Sequence, residues 1–195
     1  MLFRSMQMRA NIDAWWPYVE EGIEAIIMNA SGCGVMVKDY GHVLAHDAQY
    51  AEKAKKISAL TKDLSELLPE LVPLLKTKIN AHALEHTGKQ AFHPPCTLQH
   101  GQQLKGGVEK HLSDLGFDVQ VANQEAHLCC GSAGTYSVLN PDIAYTLRDR
   151  KLNHLDALQP RAILSANVGC ITHLQSGTDI PVKHWVEVLD AALAS

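Results

Sequence analysis

Five short apolar runs punctuate the 195-residue chain: Ala25–Met28, Ala91–His93, Phe117–Val121, Ala162–Ser165 and Pro181–Lys183, each ending near turn-forming residues. Between them apolar residues recur at helical spacing. Leu98 to Leu115 sets Leu104, Val108, Leu112 and Leu115 on one stripe and meets Gly116 as a stop signal. A second helix is expected to open at Pro141, after Asn140 as cap, and to run to about Ala157. A third closes the chain over His184–Leu193. Strands this short, alternating with helices this long, need crossover connections, so the expectation is an α/β fold with parallel sheets. Gly41 to Lys78 differs in being helical, charged and interrupted by Pro69 and Pro73, which reads as a connector between two α/β halves.

Composition narrows the class. At 46% hydrophobic residues the chain can bury a core of its own. A net charge of -4, from 17 basic and 21 acidic residues without a basic block, gives no footprint for nucleic acid. No apolar segment approaches bilayer-spanning length, and Met1 to Asn11 lacks the apolar core of a secretory leader. The expected compartment is the cytoplasm.

The cysteines carry the chemistry. Five of them, Cys33, Cys96, Cys129, Cys130 and Cys170, make an odd set, and the adjacent pair Cys129–Cys130 cannot easily reach disulfide geometry. In the run His127-Leu128-Cys129-Cys130-Gly131-Ser132-Ala133-Gly134, two neighbouring thiols can face one object only if the backbone wraps around it, which the glycines permit. The strand reading gives a common address: Cys96 follows the run ending at His93, the pair precedes a helix, and Cys170 follows the run ending near Ala166. Ligands of open parallel sheets sit outside the carboxyl ends of the strands, so three loops can converge there. Four thiolates complete a coordination shell for an iron–sulfur cluster or for zinc. Cys33 is either a further ligand or a small core residue. His173, three residues after Cys170, has three readings: ligand, hydrogen-bond donor to a cluster sulfur, or packing group. His100, His127 and Thr135 are supporting candidates or exposed loop residues, and Trp15 and Trp16 read as core.

The chain also resembles itself. Ala25 to Cys33 aligns without gaps on Ala162 to Cys170, an offset of 137 residues (170 minus 33). Ile12–Pro17 aligns on Leu155–Pro160 at 143, which gives the earlier copy six extra residues before its strand. Either offset places a counterpart of Cys129 before Met1. The first copy is therefore expected to be incomplete and the chain to be the C-terminal part of a longer protein, or the product of a truncated gene.

His93-Pro94-Pro95-Cys96, Leu128-Cys129-Cys130-Gly131 and Gly169-Cys170-Ile171-Thr172-His173 resemble the second cysteine-rich CCG domain of glycolate oxidase iron–sulfur subunits. That family also has members in heterodisulfide reductase, in anaerobic glycerol-3-phosphate dehydrogenase and among lactate-utilisation proteins. Asn29-Ala30-Ser31-Gly32-Cys33-Gly34 resembles the end of the first CCG domain. The resemblance implies two pseudo-repeated CCG domains with parallel sheets, the first incomplete: 1–40 as its C-terminal remnant, 41–88 as a helical connector and 89–195 as the complete second domain. It implies Cys96, Cys129, Cys130, Cys170 and Cys33 as metal ligands, with Gly131 and His173 against the bound group. The group would be an iron–sulfur cluster of the 4Fe-4S type, with zinc as the alternative. The partners would be flavin-containing glycolate oxidase subunits and a quinone or other acceptor, at the inner face of the cell membrane through the complex. The family's two ferredoxin-like CxxCxxC segments are absent, and His173 stands where related proteins carry a second cysteine of a CxxC. No dinucleotide fingerprint is present, so the chain would hold no complete active site alone. A zinc-stabilised interaction module or a non-functional remnant are the competing readings.

Overall fold

The computed structural model describes the backbone of residues 2–193 and the side chains of 4–193; the outer limits of the expected domains, Met1 and Ser195, lie outside it. The chain divides into two compact units, residues 1–64 and 65–195. Both are α/β with parallel sheets, as the run pattern predicts.

The first unit contains α1 (Leu2–Glu20), β1 (Ile26–Met28), α2 (Ser31–Lys38), α3 (Tyr40–Val43), α4 (Ala51–Leu60) and β2 (Thr61–Asp63). β1 and β2 pair in parallel, Ile26 opposite Thr61. Met8, Ile12, Val37, Tyr40, Leu44, Ala54 and Ile57 form the core, with Trp15 packed against it and stacked on Tyr40. Trp16 is only half-buried, hydrogen-bonding Glu20 and lying under the Lys53 ammonium. β2 corresponds to none of the apolar runs, because Thr61-Lys62-Asp63 carries its burial through Thr61 Oγ1, which hydrogen-bonds the Ile57 carbonyl.

The second unit contains α5 (Leu68–Lys76), α6 (Ala81–Thr87), β3 (Gln90–His93), α7 (Gly107–Asp114), β4 (Val119–Val121), α8 (Thr135–Leu139), α9 (Pro141–Asp156), β5 (Ala162–Ser165), α10 (Val168–Gln175), β6 (Val182–His184) and α11 (Trp185–Leu193). Its parallel sheet has the order β4-β3-β5-β6. The two central strands, β3 and β5, are buried at every position, so Ala91-Phe92 and Ala162-Ile163-Leu164 read as apolar runs rather than as alternation, with Gln90, His93 and Ser165 as buried polar residues at the strand ends. The expected single helix over Leu98–Leu115 is instead a π turn (Thr97–Gly101), an irregular bend and α7. Gln103 and Gly106 break it by taking positive φ, 60° and 74°. The Asn140 cap is likewise absent: its amide donates to the Tyr136 carbonyl, and α9 starts on Pro141 without side-chain help.

The repeat is visible in three dimensions. α2 runs from residue 31 to 38 and α10 from 168 to 175, the same helix at an offset of 137. Five residues, 21–25, join α1 to β1, and five, 157–161, join α9 to β5. The six-residue insertion inferred from the second alignment therefore does not exist. Ile12–Pro17 lies inside α1, whereas Leu155–Pro160 straddles the end of α9.

Candidate metal centre

The site grows out of the second unit's core. Cys130 and Cys170 are buried in one cluster with Ala91, Leu152, Leu155, Ile163, Leu174 and Val182, so two of the thiols are anchored by the packing that holds the sheet. Cys96 comes three residues after β3, Cys129 and Cys130 from the β4–α8 loop, and Cys170 from the first turn of α10 rather than from the loop before it. All three approaches start from carboxyl ends of parallel strands, the place the topology leaves open for a ligand.

Their sulfurs are neighbours in a row, Cys96 by Cys129, Cys129 by Cys130 and Cys130 by Cys170, each near enough to shift the protonation of the next. The protons divide unevenly along it. Thiol hydrogen bonds from Cys130 and Cys96 hold Cys129 far down, and Cys130 likewise lowers Cys170. Sharing with Cys129 drives Cys96 and Cys130 up, and burial adds to both. Backbone N–H donors reach the pair as well: Gly131 donates to Cys129 Sγ at 3.3 Å and Ser132 to Cys130. The Asn167 amide donates to Cys170 Sγ at 3.6 Å. Donors aimed at sulfur are the means by which proteins favour thiolates and tune clusters.

Gly131 makes the wrap possible. Its φ is +93°, and a Cβ there would lie 2.1 Å from the Ala144 carbonyl oxygen and 2.9 Å from His173 Nε2. Gly169 lets α10 approach equally closely, since a Cβ on it would lie 2.9 Å from Ser132 Oγ. His173 does not turn a free Nε2 to the thiols: that nitrogen lies 3.1 Å from the Ala144 carbonyl, and the ring stacks on Tyr145. Cys33 belongs to the other unit, exposed on α2, and the sulfur chain of the second unit is built without it. His100 Nε2 lies 3.2 Å from the His127 carbonyl, whereas Thr135 is exposed at the start of α8.

Residues that sequence reasoning missed hold the loop that delivers the pair. Lys151, 2% exposed on α9, donates through Nζ to the carbonyls of Glu125 and Ala126. Burial lowers its pKa, while the neighbouring thiols of Cys96 and Cys130 oppose that. Gln99 Nε2 bridges the Pro94 and Ala126 carbonyls at 2.7 and 3.2 Å, tying the Cys96 loop to the Cys129 loop. Glu125, at φ +52°, takes Arg150 and His154 on its carboxylate. The signal for Lys151 was faint: its spacing from Ala144 and Leu155 puts it on the apolar stripe of α9, but Arg148 falls on that stripe too. His93 is buried beside Cys130 and Cys170, its ligating atom and their sulfurs all within 4.8 Å of one another.

Residues 90–175 match the family of cysteine-rich CCG domains. That match lies within the second unit. The chain is 52% identical over 185 residues to the glycolate oxidase iron-sulfur subunit of Escherichia coli strain K12, covering 95% of this chain and 44% of that protein. It is 25% identical over 171 residues to lactate utilization protein A of Geobacillus kaustophilus, covering 85% and 70%. A probable glycolate oxidase iron-sulfur subunit of Bacillus subtilis matches at 27% over 161 residues, 80% and 34%. The chain thus spans less than half the length of the two glycolate oxidase subunits, and the sulfur chain lies inside the stretch that matches the CCG domain.

Proposed function

We propose that the chain is an iron–sulfur electron-transfer component of a glycolate oxidase-type complex, taking electrons from a flavin-containing subunit and passing them towards a quinone or another acceptor. The observation that carries this reading is the chain of four thiols from three strand-end loops. The donor set fits the group: soft sulfur ligands, N–H donors on three of them, and a glycine cradle that any Cβ would fill. Cys96, Cys129, Cys130 and Cys170 would hold it, and a 4Fe-4S type of cluster would supply one-electron redox chemistry. The protein's share is to keep two thiols low in pKa, to orient the sulfurs through Gly131, Ser132 and Asn167, and to exclude water from Cys130 and Cys170, leaving Cys96 and Cys129 nearer the surface.

In the same reading residues 89–195 are the complete CCG domain, 1–40 the end of a first one and 41–88 the connection between them. The protein works in the cytoplasm, at the inner face of the membrane through its complex; among the described residues no helix is long and apolar enough to cross a bilayer. Val138, Leu139 and Val168 are exposed on α8 and α10 beside the thiol loops and suit a docking partner.

Anaerobic reconstitution with iron and sulfide tests the reading. Visible absorption that bleaches on reduction is expected, with bound iron lost in Cys129→Ser and Cys130→Ser. A colourless, iron-free chain overturns it, and stoichiometric zinc without redox activity would replace it with a structural zinc site.

A further inference from the structure

We propose that His93 is a direct donor to the metal centre, closing its buried corner together with Cys130 and Cys170. This rests on the reading of the thiol chain as a metal site. His93 is the last residue of β3, the strand paired on both sides in the sheet. Its main chain is fixed twice, by the register opposite Ser165 and by Ser165 Oγ donating to the His93 carbonyl at 3.2 Å. The ring is 0% exposed, and neither nitrogen has an oxygen or nitrogen partner among the described residues; the one side chain that engages it is the Cys170 thiol.

An imidazole buried in that state is costly unless something completes it. What faces it is sulfur: a ring nitrogen and the Sγ atoms of Cys130 and Cys170 lie within 4.8 Å of one another. Three donors from three elements, a strand end, a loop and a helix, then surround one point. The other nearby histidine is differently employed, since His173 Nε2 is held by the Ala144 carbonyl. The site is therefore a mixed one, with imidazole and thiolate at its buried end and Cys96 and Cys129 at its open end. Replacing thiolate by neutral imidazole removes negative charge from the bound group and raises its potential.

The test uses the full chain, reconstituted with iron and sulfide after growth on 15N-labelled histidine. Pulsed EPR of the reduced centre is expected to show a nitrogen coupling of the size of a directly bonded ligand. The coupling should vanish in His93→Cys, which keeps a donor, retains the cluster and lowers the midpoint potential. A weak coupling, as from a ring N–H donating to sulfur, or one that survives in His93→Cys, overturns the assignment while leaving the cluster reading intact. In parallel, Co(II) titration of the metal-free chain should show binding weakened about tenfold or more in His93→Asn and recovered in His93→Cys. Equal Co(II) affinity in wild type and His93→Asn also overturns it. A wild-type chain that takes up Co(II) but no iron defeats the cluster reading alone, and one that takes up neither defeats both.

Discussion

Gly131 decides whether the vicinal thiols can face inward together. Its positive φ disfavours any side chain, and the 2.1 Å approach of a virtual Cβ to the Ala144 oxygen is to backbone, which cannot swing aside as a flexible side chain would. Conformational strain of about 1–3 kcal/mol and overpacking of about 1–3 kcal/mol act in the same direction. Gly131→Ala is therefore expected to destabilise the metal-free chain by at least about 2 kcal/mol in urea denaturation, and to displace the N–H that serves Cys129. Gly107 is the contrast. It opens α7 with nothing within 4 Å of its virtual Cβ and no positive φ, so Gly107→Ala should stabilise by about 0.4–1 kcal/mol. A neutral Gly131→Ala would mean that the loop around the pair is soft rather than braced.

α9 acts as a splint for the loop over residues 122–128. Lys151 holds two of its carbonyls and Arg150 and His154 hold its glutamate, three side chains from one five-residue stretch of the helix. Lys151→Met keeps the volume and removes the donor, leaving the Glu125 carbonyl to the Leu128 N–H and the Ala126 carbonyl to Gln99, a loss of about 0.5–1.5 kcal/mol per bond. Amide exchange across 122–130 should quicken and metal affinity fall by about 10–100-fold, while α7 exchange stays unchanged. The Glu125 contacts add a pH dependence. Arg150 first, then His154, lower the Glu125 carboxyl below its ordinary 4.5, so its contribution is present above that value and is lost as pH falls through the lower folded value. Glu125→Gln should flatten the acid-side loosening of this loop in exchange measurements between pH 5 and pH 3, taken as a range of about two units around the carboxyl pKa. How far the sequence reveals these elements follows from their physics. β3 and β5 declare themselves because their middles, Ala91-Phe92 and Ala162-Ile163-Leu164, are apolar on both faces, and the thiols because few side chains do their chemistry. β2 does not, since Thr61 satisfies its buried hydroxyl locally on Ile57. The break at Gln103 hides because a non-glycine residue takes the positive φ there. His93 hides differently: it terminates an apolar run, and a strand end and a ligand look alike until the neighbouring strand shows what faces it.

The two units have separate apolar cores, and only one of them contains the thiol chain. Cys130 and Cys170 are members of the second core as well as donors, so a bound metal or cluster would tie α10 and the β4–α8 loop to the sheet through the same residues that pack against Ile163 and Leu174. Binding to the native state alone stabilises it by about 2.7 kcal/mol at a ligand concentration a hundredfold above the dissociation constant, and that gain belongs to whichever cooperative unit holds the site. Loading the chain should therefore slow global exchange of β3 and β5 amides by about a hundredfold under those conditions, and chelation should restore the faster rate. Amides of β1, β2 and α2 should not respond, because their core of Met8, Ile12, Val37 and Ile57 closes without a thiol. Exposed Cys33 makes the measurement discriminating. If metal loading protects α2 as strongly as β5, Cys33 is a ligand after all and the two units form one metal-linked structure; if protection stops at residue 64, the repeat has kept its strand and helix in the first unit while the metal chemistry resides in the second.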